Sequence, residues 1–140
     1  MSLKLEIVTP EKRVFSDTVD TVVLPGSEGE LGVLESHVPL VTALHPGELA
    51  YTKEGTVQHL AVGTGFVEIT GHRVAVLTDM AMAESDIDEK AVEEALKRAE
   101  ETVEKLKNSP DVGGEELATV MASIQRSTAQ LRVKRRRNSL

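Results

Sequence analysis

The sequence predicts an α+β protein, with an N-terminal antiparallel β-sandwich over residues 1–84 and a C-terminal antiparallel two-helix hairpin over residues 85–140. Three observations lead there. Up to Glu84, short segments of alternating polarity are separated by Gly or Pro about every ten residues, the pattern of an all-β sandwich or barrel. From Glu84 to Asn108 the chain has no Gly and no Pro and is rich in Ala, Glu, Lys and Leu, all strong helix formers. "NSPDVGG" then interrupts, and a second helical pattern follows from about Glu115. Two helices joined by a short break make a hairpin.

The strands come in order. "LKLEIVT" places Leu3, Leu5 and Ile7 on one face and Lys4 and Glu6 on the other, the period of a half-buried strand. "TVDTVVLPG", "GELGVL", "GELAYTKEG", "TVQHLAVG", "GFVEITG" and "HRVAVLTD" follow. No connection between them is long enough for a crossover helix, so the sheet is expected to be mostly antiparallel. Between "GELGVL" and "GELAY", the segment around "HVPL" is read as a rigid loop, stiffened by Pro39 and closed by Pro46 and Gly47. Gly29 and Gly32 allow a tight turn that exposes Glu28 and Glu30 at its tip.

In the first helix, Asp86 followed by Glu89 resembles a capping box. Ile87, Ala91, Ala95, Ala99, Val103 and Leu106 fall on one stripe. In the second, Leu117, Val120, Met121, Ile124, Thr128 and Leu131 form the expected inner face. Alanine buries a single methyl, worth about 0.8 kcal/mol. The hairpin is therefore expected to pack closely but weakly and to open more easily than the sandwich.

Composition excludes several functions. Phe15, Tyr51 and Phe66 are the only aromatic residues, too few for a base-stacking platform. There is no cysteine, hence no disulfide, thiol nucleophile or thiolate metal site. No stretch reaches the roughly 20 apolar residues of a membrane span, and none has the length of a signal peptide. The expectation is a soluble chain held at any membrane by a partner. The net charge of −7 is uneven, because "RVKRRRNSL" at the end carries five cations and no acid. An acidic body with a basic tip fits a tail that seeks an acidic target. The same acidity disfavours nucleic acid.

No catalytic or metal site emerges. His37, His45, His59 and His72 sit in no recognisable catalytic motif. His37 and His45 are eight residues apart, with Glu30 and Glu35 nearby, but no short-range ligand pair is present. "GTGFVEITG" lacks the Lys-Ser/Thr of a phosphate loop and reads as a turn between strands. No cofactor is expected. The stretch from Ser27 to Gly47 instead suits a contact surface, with outward polar groups set among aliphatics.

Taken together, "VTPEKRVFSDTVDTVVLPGSEGELGVLESHVPLVTALHPGELA", "LAVGTGFVEI", "VAVLTDMA" and "AQLRV" closely resemble the epsilon subunit family of F-type ATP synthases, in order and over essentially the whole chain. The resemblance implies a non-catalytic subunit of the central rotor, peripheral on the cytoplasmic face of an energy-transducing membrane. Its partners would be the gamma subunit, the ring of c subunits, and the catalytic β (and α) subunits. Glu30 matches the acidic position that faces the c-ring, and His37 and Thr42 match positions facing gamma. The hairpin would be a brake, folded down when hydrolysis is permitted and extended when it is blocked. Arg126, Arg132, Lys134, Arg135, Arg136 and Arg137 would then meet acidic stretches of the β subunits.

Some members bind ATP at the closed hairpin through an Ile/Leu-Asp-x-x-Arg-Ala motif. Here Ile87, Asp88 and Arg126 match that site, but Ala91 stands at the arginine, Val92 at the alanine, and Gln130 at a further second-helix arginine. Without those charge-assisted bonds, ATP binding is expected to be weak or absent. The alternative reading is a standalone nucleotide-sensing sandwich whose hairpin closes over its ligand.

Overall fold

The computed structural model describes residues 3–108 and 114–136, except for the side chain of His37. Ten strands come first: β1 (Leu3–Val8), β2 (Arg13–Val19), β3 (Thr21–Gly26), β4 (Gly29–Val33), β5 (His37–Leu44), β6 (Gly47–Lys53), β7 (Thr56–Val62), β8 (Gly65–Gly71), β9 (Arg73–Thr78) and β10 (Ala81–Ala83). A 3₁₀ turn at Glu84–Asp86 leads into α1 (Glu89–Lys107) and α2 (Gly114–Arg136). The α+β architecture read from the sequence is the one observed.

The strands form one sheet in the order β10-β7-β6-β3-β5-β8-β9-β1-β2, with β4 paired to β3 off that path. Every pairing is antiparallel except β1 with β9, whose parallel register runs from Lys4 opposite Arg73 to Val8 opposite Leu77. The chain connects these two through the rest of the sandwich, so no crossover helix is needed.

The sheet folds over on itself, bringing β2 against β6. Phe15 and Tyr51 stack there with ring centroids 4.7 Å apart, the Asp20 amide donates to the Thr52 carbonyl at 2.7 Å, and Lys53 pairs with Asp17. That hydrogen bond from Lys53, aided by the Thr18 amide, holds the Asp17 carboxyl below its ordinary value and raises Lys53. Between the layers Leu3, Leu5, Ile7, Val22, Leu24, Leu49, Val62, Val67, Ile69, Val74 and Val76 are fully buried. This core contains no residue of either helix, so the sandwich closes without the hairpin.

Three strands were not legible in the sequence, among them the three-residue Ala81–Ala83, which pairs with β7 and is too short to show a period. Arg13–Val19 is a strand whose exposed and half-buried residues blur the alternation. His37–Leu44, read above as a rigid loop, is also a strand. Proline is tolerated there because the register shifts between His37 and Leu40 where β5 pairs with β8.

The helices require three further corrections. The cap of α1 is Asp88, whose Oδ1 accepts from the Ala91 amide at 3.2 Å. Asp86 lies in the 3₁₀ turn and forms no capping box with Glu89. Ala91 is exposed, and the half-buried stripe of α1 runs through Val92, Ala95, Leu96, Ala99, Val103 and Leu106. On α2, Met121 and Thr128 face outward, whereas Ser127, Ala129, Leu131 and Val133 are buried. A spacing of two residues turns about 200° around a helix. Those four positions therefore belong to two opposite faces. Ala129 and Val133 join Ala61 and Ile87 in a second small core against the sandwich, while Leu131 shares a crevice with Leu96 of α1. α2 is thus the middle layer, lying on β6 and β7 with α1 packed against it.

One glycine tests the close packing of the sheet. A Cβ on Gly65 would lie 1.8 Å from the Leu77 carbonyl oxygen and 2.8 Å from the Thr78 Cα, both backbone atoms that no rotamer change can move. Gly65→Ala is expected to destabilise the protein by about 3 kcal/mol, at the upper end of overpacking costs, read as a lower urea midpoint at unchanged slope.

Candidate functional site

The last two turns of α2 gather most of the cations assigned from the sequence and distribute them to three elements. Successive residues on a helix point about 100° apart, so consecutive basic residues fan outward. Lys134 reaches the 3₁₀ turn, with Nζ 3.4 Å from Glu84 Oε1 and donating to the Glu84 carbonyl at 3.3 Å. Arg135 turns to α1, where Nε donates to Glu89 Oε1 at 2.9 Å and Nη2 to Glu93. Those two carboxylates raise the Arg135 guanidinium above its ordinary value. Arg136 reaches β6, with Nε 2.6 Å from Glu48 Oε1 and Nη2 donating to Oε2 at 2.8 Å.

Further up α2, Arg126 Nη1 lies 3.7 Å from Asp79 Oδ2 in the β9–β10 turn. Arg132 is exposed and lines a crevice with His45, Pro46, Gly47 and Ile124. Arg137 lies outside the described residues. Four of the six assigned cations are therefore engaged within the molecule, by acids distant from them along the chain.

A cleft of about 690 Å³ opens beside this junction, lined among others by Phe15, Tyr51, His59, Leu60, Val133 and Arg136. Burial raises the Tyr51 phenol above its ordinary value. Among the described residues no group of three or more His, Asp or Glu side chains is arranged to hold a metal ion, and no helix is long and apolar enough to cross a membrane.

The contact-surface residues lie elsewhere. Glu30 is exposed on β4, opposite Pro25. His37 opens β5. Thr42 is half-buried and sits opposite the fully buried Val67, so its side chain is on the core side of the sheet. Its neighbours carry the outward face: Val41 is 68% exposed, and Ala43 pairs laterally with Phe66 (60%), which pairs with Leu77 (53%). This apolar row across β5, β8 and β9 escaped the sequence reading because Val41 and Ala43 were placed in a loop. The signal available was Phe66 standing at a polar-phase position of "GFVEITG".

The residues matching the ATP motif already have structural tasks. Ile87 is buried in the small core, and Asp88 caps α1. Arg126 faces Asp79, and Gln130 Nε2 lies 3.2 Å from the Met82 sulfur. The exposed Ala91 supplies no phosphate contact. Isothermal titration with ATP should give no saturable heat in the micromolar range, and a micromolar dissociation constant would overturn this.

Comparison with known proteins covers both parts of the chain. Residues 2–84 match the family model described as the ATP synthase delta/epsilon chain β-sandwich domain, and residues 85–135 match the corresponding long α-helix domain. A chain of Nitratidesulfovibrio vulgaris named ATP synthase epsilon chain is 42% identical over 133 residues, 95% of this chain and 96% of the relative. One of the same name from Herpetosiphon aurantiacus is 39% identical over 132 residues, 94% and 97% of the two chains. Among solved structures, a chain of the Euglena gracilis mitochondrial ATP synthase superposes with a TM-score of 0.74 at 22% identity, covering 91% of this chain and 78% of that one. At that identity the likeness concerns the fold.

Proposed function

The chain belongs to the ATP synthase delta/epsilon family, and from that premise we propose that it is a central-rotor subunit that links the gamma shaft to the c-ring and restrains ATP hydrolysis through its helical hairpin. In this reading residues 1–84 dock and residues 85–140 regulate. The subunit performs no chemistry of its own and lies peripherally on the cytoplasmic face of the membrane.

The observation that carries the proposal is the separation of the two cores. The sandwich core contains no helix residue, while α2 is held by the small cluster of Ala61, Ile87, Ala129 and Val133 and by surface charge. Such a hairpin can leave without unfolding the part that docks. The apolar row Val41, Ala43, Phe66 and Leu77 supports a protein partner on the outer face of β5, β8 and β9, since contiguous exposed apolar surface marks interaction sites. We assign that row to gamma, together with the start of β5 at His37, and with Thr42 acting by positioning its outward neighbours. Glu30, exposed on a separate hairpin, is assigned to the polar loops of the c-ring.

The brake follows from length and charge. α2 has 23 residues, which at 1.5 Å per residue is about 34 Å. Extended, it would carry its cations far from the sandwich and toward acidic stretches of the catalytic β subunits, where Arg126, Arg132 and Lys134 to Arg137 would pair.

Two outcomes check this. A purified α/β/γ catalytic head should lose ATP hydrolysis on adding the full chain and keep it on adding residues 1–84, which should still bind. Arg132, exposed in the closed form, is the cleanest cation to remove. Arg132→Gln should weaken inhibition severalfold, as expected for one charge-assisted contact, and leave binding to gamma unchanged. Equal inhibition by the truncated and full chains would end the brake assignment.

A further inference from the structure

We infer that Glu48 seats an electrostatic clasp that holds the hairpin closed, and that this clasp withholds the cationic end of α2 from an acidic partner until it opens. The first half rests on the contacts alone, and the second half rests on the function proposed above.

The carboxylate of Glu48 is unlike the other acids that α2 meets. It projects from β6, its side chain is 10% exposed, and it receives Arg136 through two bonds of 2.6 and 2.8 Å. His59 of β7 lies against the same carboxylate through Nδ1. The remaining acids are more open, with side-chain exposures of 22% for Glu84, 34% for Glu89, 49% for Glu93 and 43% for Asp79. Exposed pairs contribute little, because solvent screens them and ordering two long side chains costs entropy. A carboxylate this far withdrawn from water needs its partners, and the fork of Arg136 matches it geometrically.

The position of Glu48 matters as much as its burial. Lys134, Arg135 and Arg136 tie α2 to the 3₁₀ turn, to the first turns of α1 and to β6 respectively. All three ties lie at the end where the chain leaves the sandwich for α1. The hairpin can splay at its far end without breaking them, but it cannot lift from the sandwich while they hold. Arg136 is already 49% exposed, so lifting returns chiefly Glu48 to water and the clasp is releasable. Because the same guanidinium cannot serve Glu48 and a partner's acid at once, closing the clasp also masks the tail. Glu48 is therefore a positioning residue for the brake.

The test is hydrogen–deuterium exchange on the full-length protein. Glu48→Ala and Arg136→Ala should each speed exchange across residues 120–136 by about tenfold, the scale of losing one charge-assisted hydrogen bond to a half-exposed partner, while the core strands stay protected. The exchanged pair Glu48→Arg with Arg136→Glu should return α2 to within about twofold of the original rate. Should Glu48→Ala disturb the strands, Glu48→Gln keeps the shape and removes the charge, and faster exchange confined to the helices is again expected. Unchanged α2 exchange in the single variants would overturn the clasp. So would faster exchange that the charge reversal fails to restore when His59→Ala also removes the imidazole beside the new cation, because packing and not pairing would then be responsible. With a catalytic head, Glu48→Ala should inhibit more strongly than the original chain. Faster exchange without stronger inhibition would keep the clasp and reject its role in masking the tail.

Discussion

The structure turns on a single helix that must be buried on two sides at once. α2 touches the sandwich through Ala129 and Val133 and touches α1 through Leu131, with Ser127 one turn before it. α1 has no buried residue of its own, packs against α2 and adds only Val92 to the small cluster on the sandwich, so the hairpin is attached to the sandwich largely through one face of one helix. That face offers only Ala129 and Val133 to a cluster completed by Ala61 and Ile87, with Met80 and Met82 beside it. Ala61 and Ala129 let the helix come close to the strand but remove little apolar surface from water, so the attraction per residue is low. The sandwich has the opposite character, a continuous layer of Leu, Ile and Val closed on itself.

Beside an apolar cluster this small, charge gains weight at this junction. Individually exposed ion pairs rarely decide a fold. Here they are concentrated at the one end that must stay in place for the hairpin to remain down, and one of the carboxylates, Glu48, is withdrawn from solvent although its partner Arg136 is half exposed. The Asp88 cap adds to the same region, since it fixes where α1 begins and hence where Glu89 and Glu93 stand relative to Arg135. The acidic body and basic tip seen in the composition thus become a local arrangement of complementary partners inside one chain. An acidic protein with a basic tail need not be seeking an external target only, because its first target is itself.

How much of this was legible in the sequence depends on how many sides of an element are covered. Strands buried on one face, such as β1 with Leu3, Leu5 and Ile7 inward and Lys4 outward, declared themselves by period two. β5 did not, because its outer face carries Val38, Val41 and Ala43 where polar residues would have marked solvent, and because Pro39 reads as a breaker. α1, with one covered side, gave a stripe that was partly right: Ala95, Ala99, Val103 and Leu106 belonged to it, Ala91 did not, and Val92 and Leu96 were missed. α2, with two, gave a stripe that was half right: Leu131 belonged to it, Met121 and Thr128 did not, and Ala129 and Val133 were missed because they lie on the opposite face. The cations of the tail were legible as a group, whereas their partners were not. Glu48, Glu84 and Glu89 are distant in sequence and ordinary in context, and only the docking of α2 brings them to Lys134, Arg135 and Arg136.

A helix attached this lightly is suited to a two-state role for a quantitative reason. A partner can shift an equilibrium only by the difference in its affinity for the two states, and moving a population from 1:99 to 99:1 takes roughly 5.5 kcal/mol of such difference. Had α2 been fastened by a Leu-rich face comparable to the sandwich core, no plausible set of acidic contacts on a partner would supply that difference. Fastened by a small apolar cluster and a releasable clasp, the closed state lies within reach of a partner that offers carboxylates to the same arginines. The guanidinium lost by Glu48 is then the one gained by the partner, so the cost of opening and the reward for binding involve the same bonds. Weak apolar attachment and strong basic charge, which look like separate peculiarities of this sequence, are on this argument two halves of one requirement.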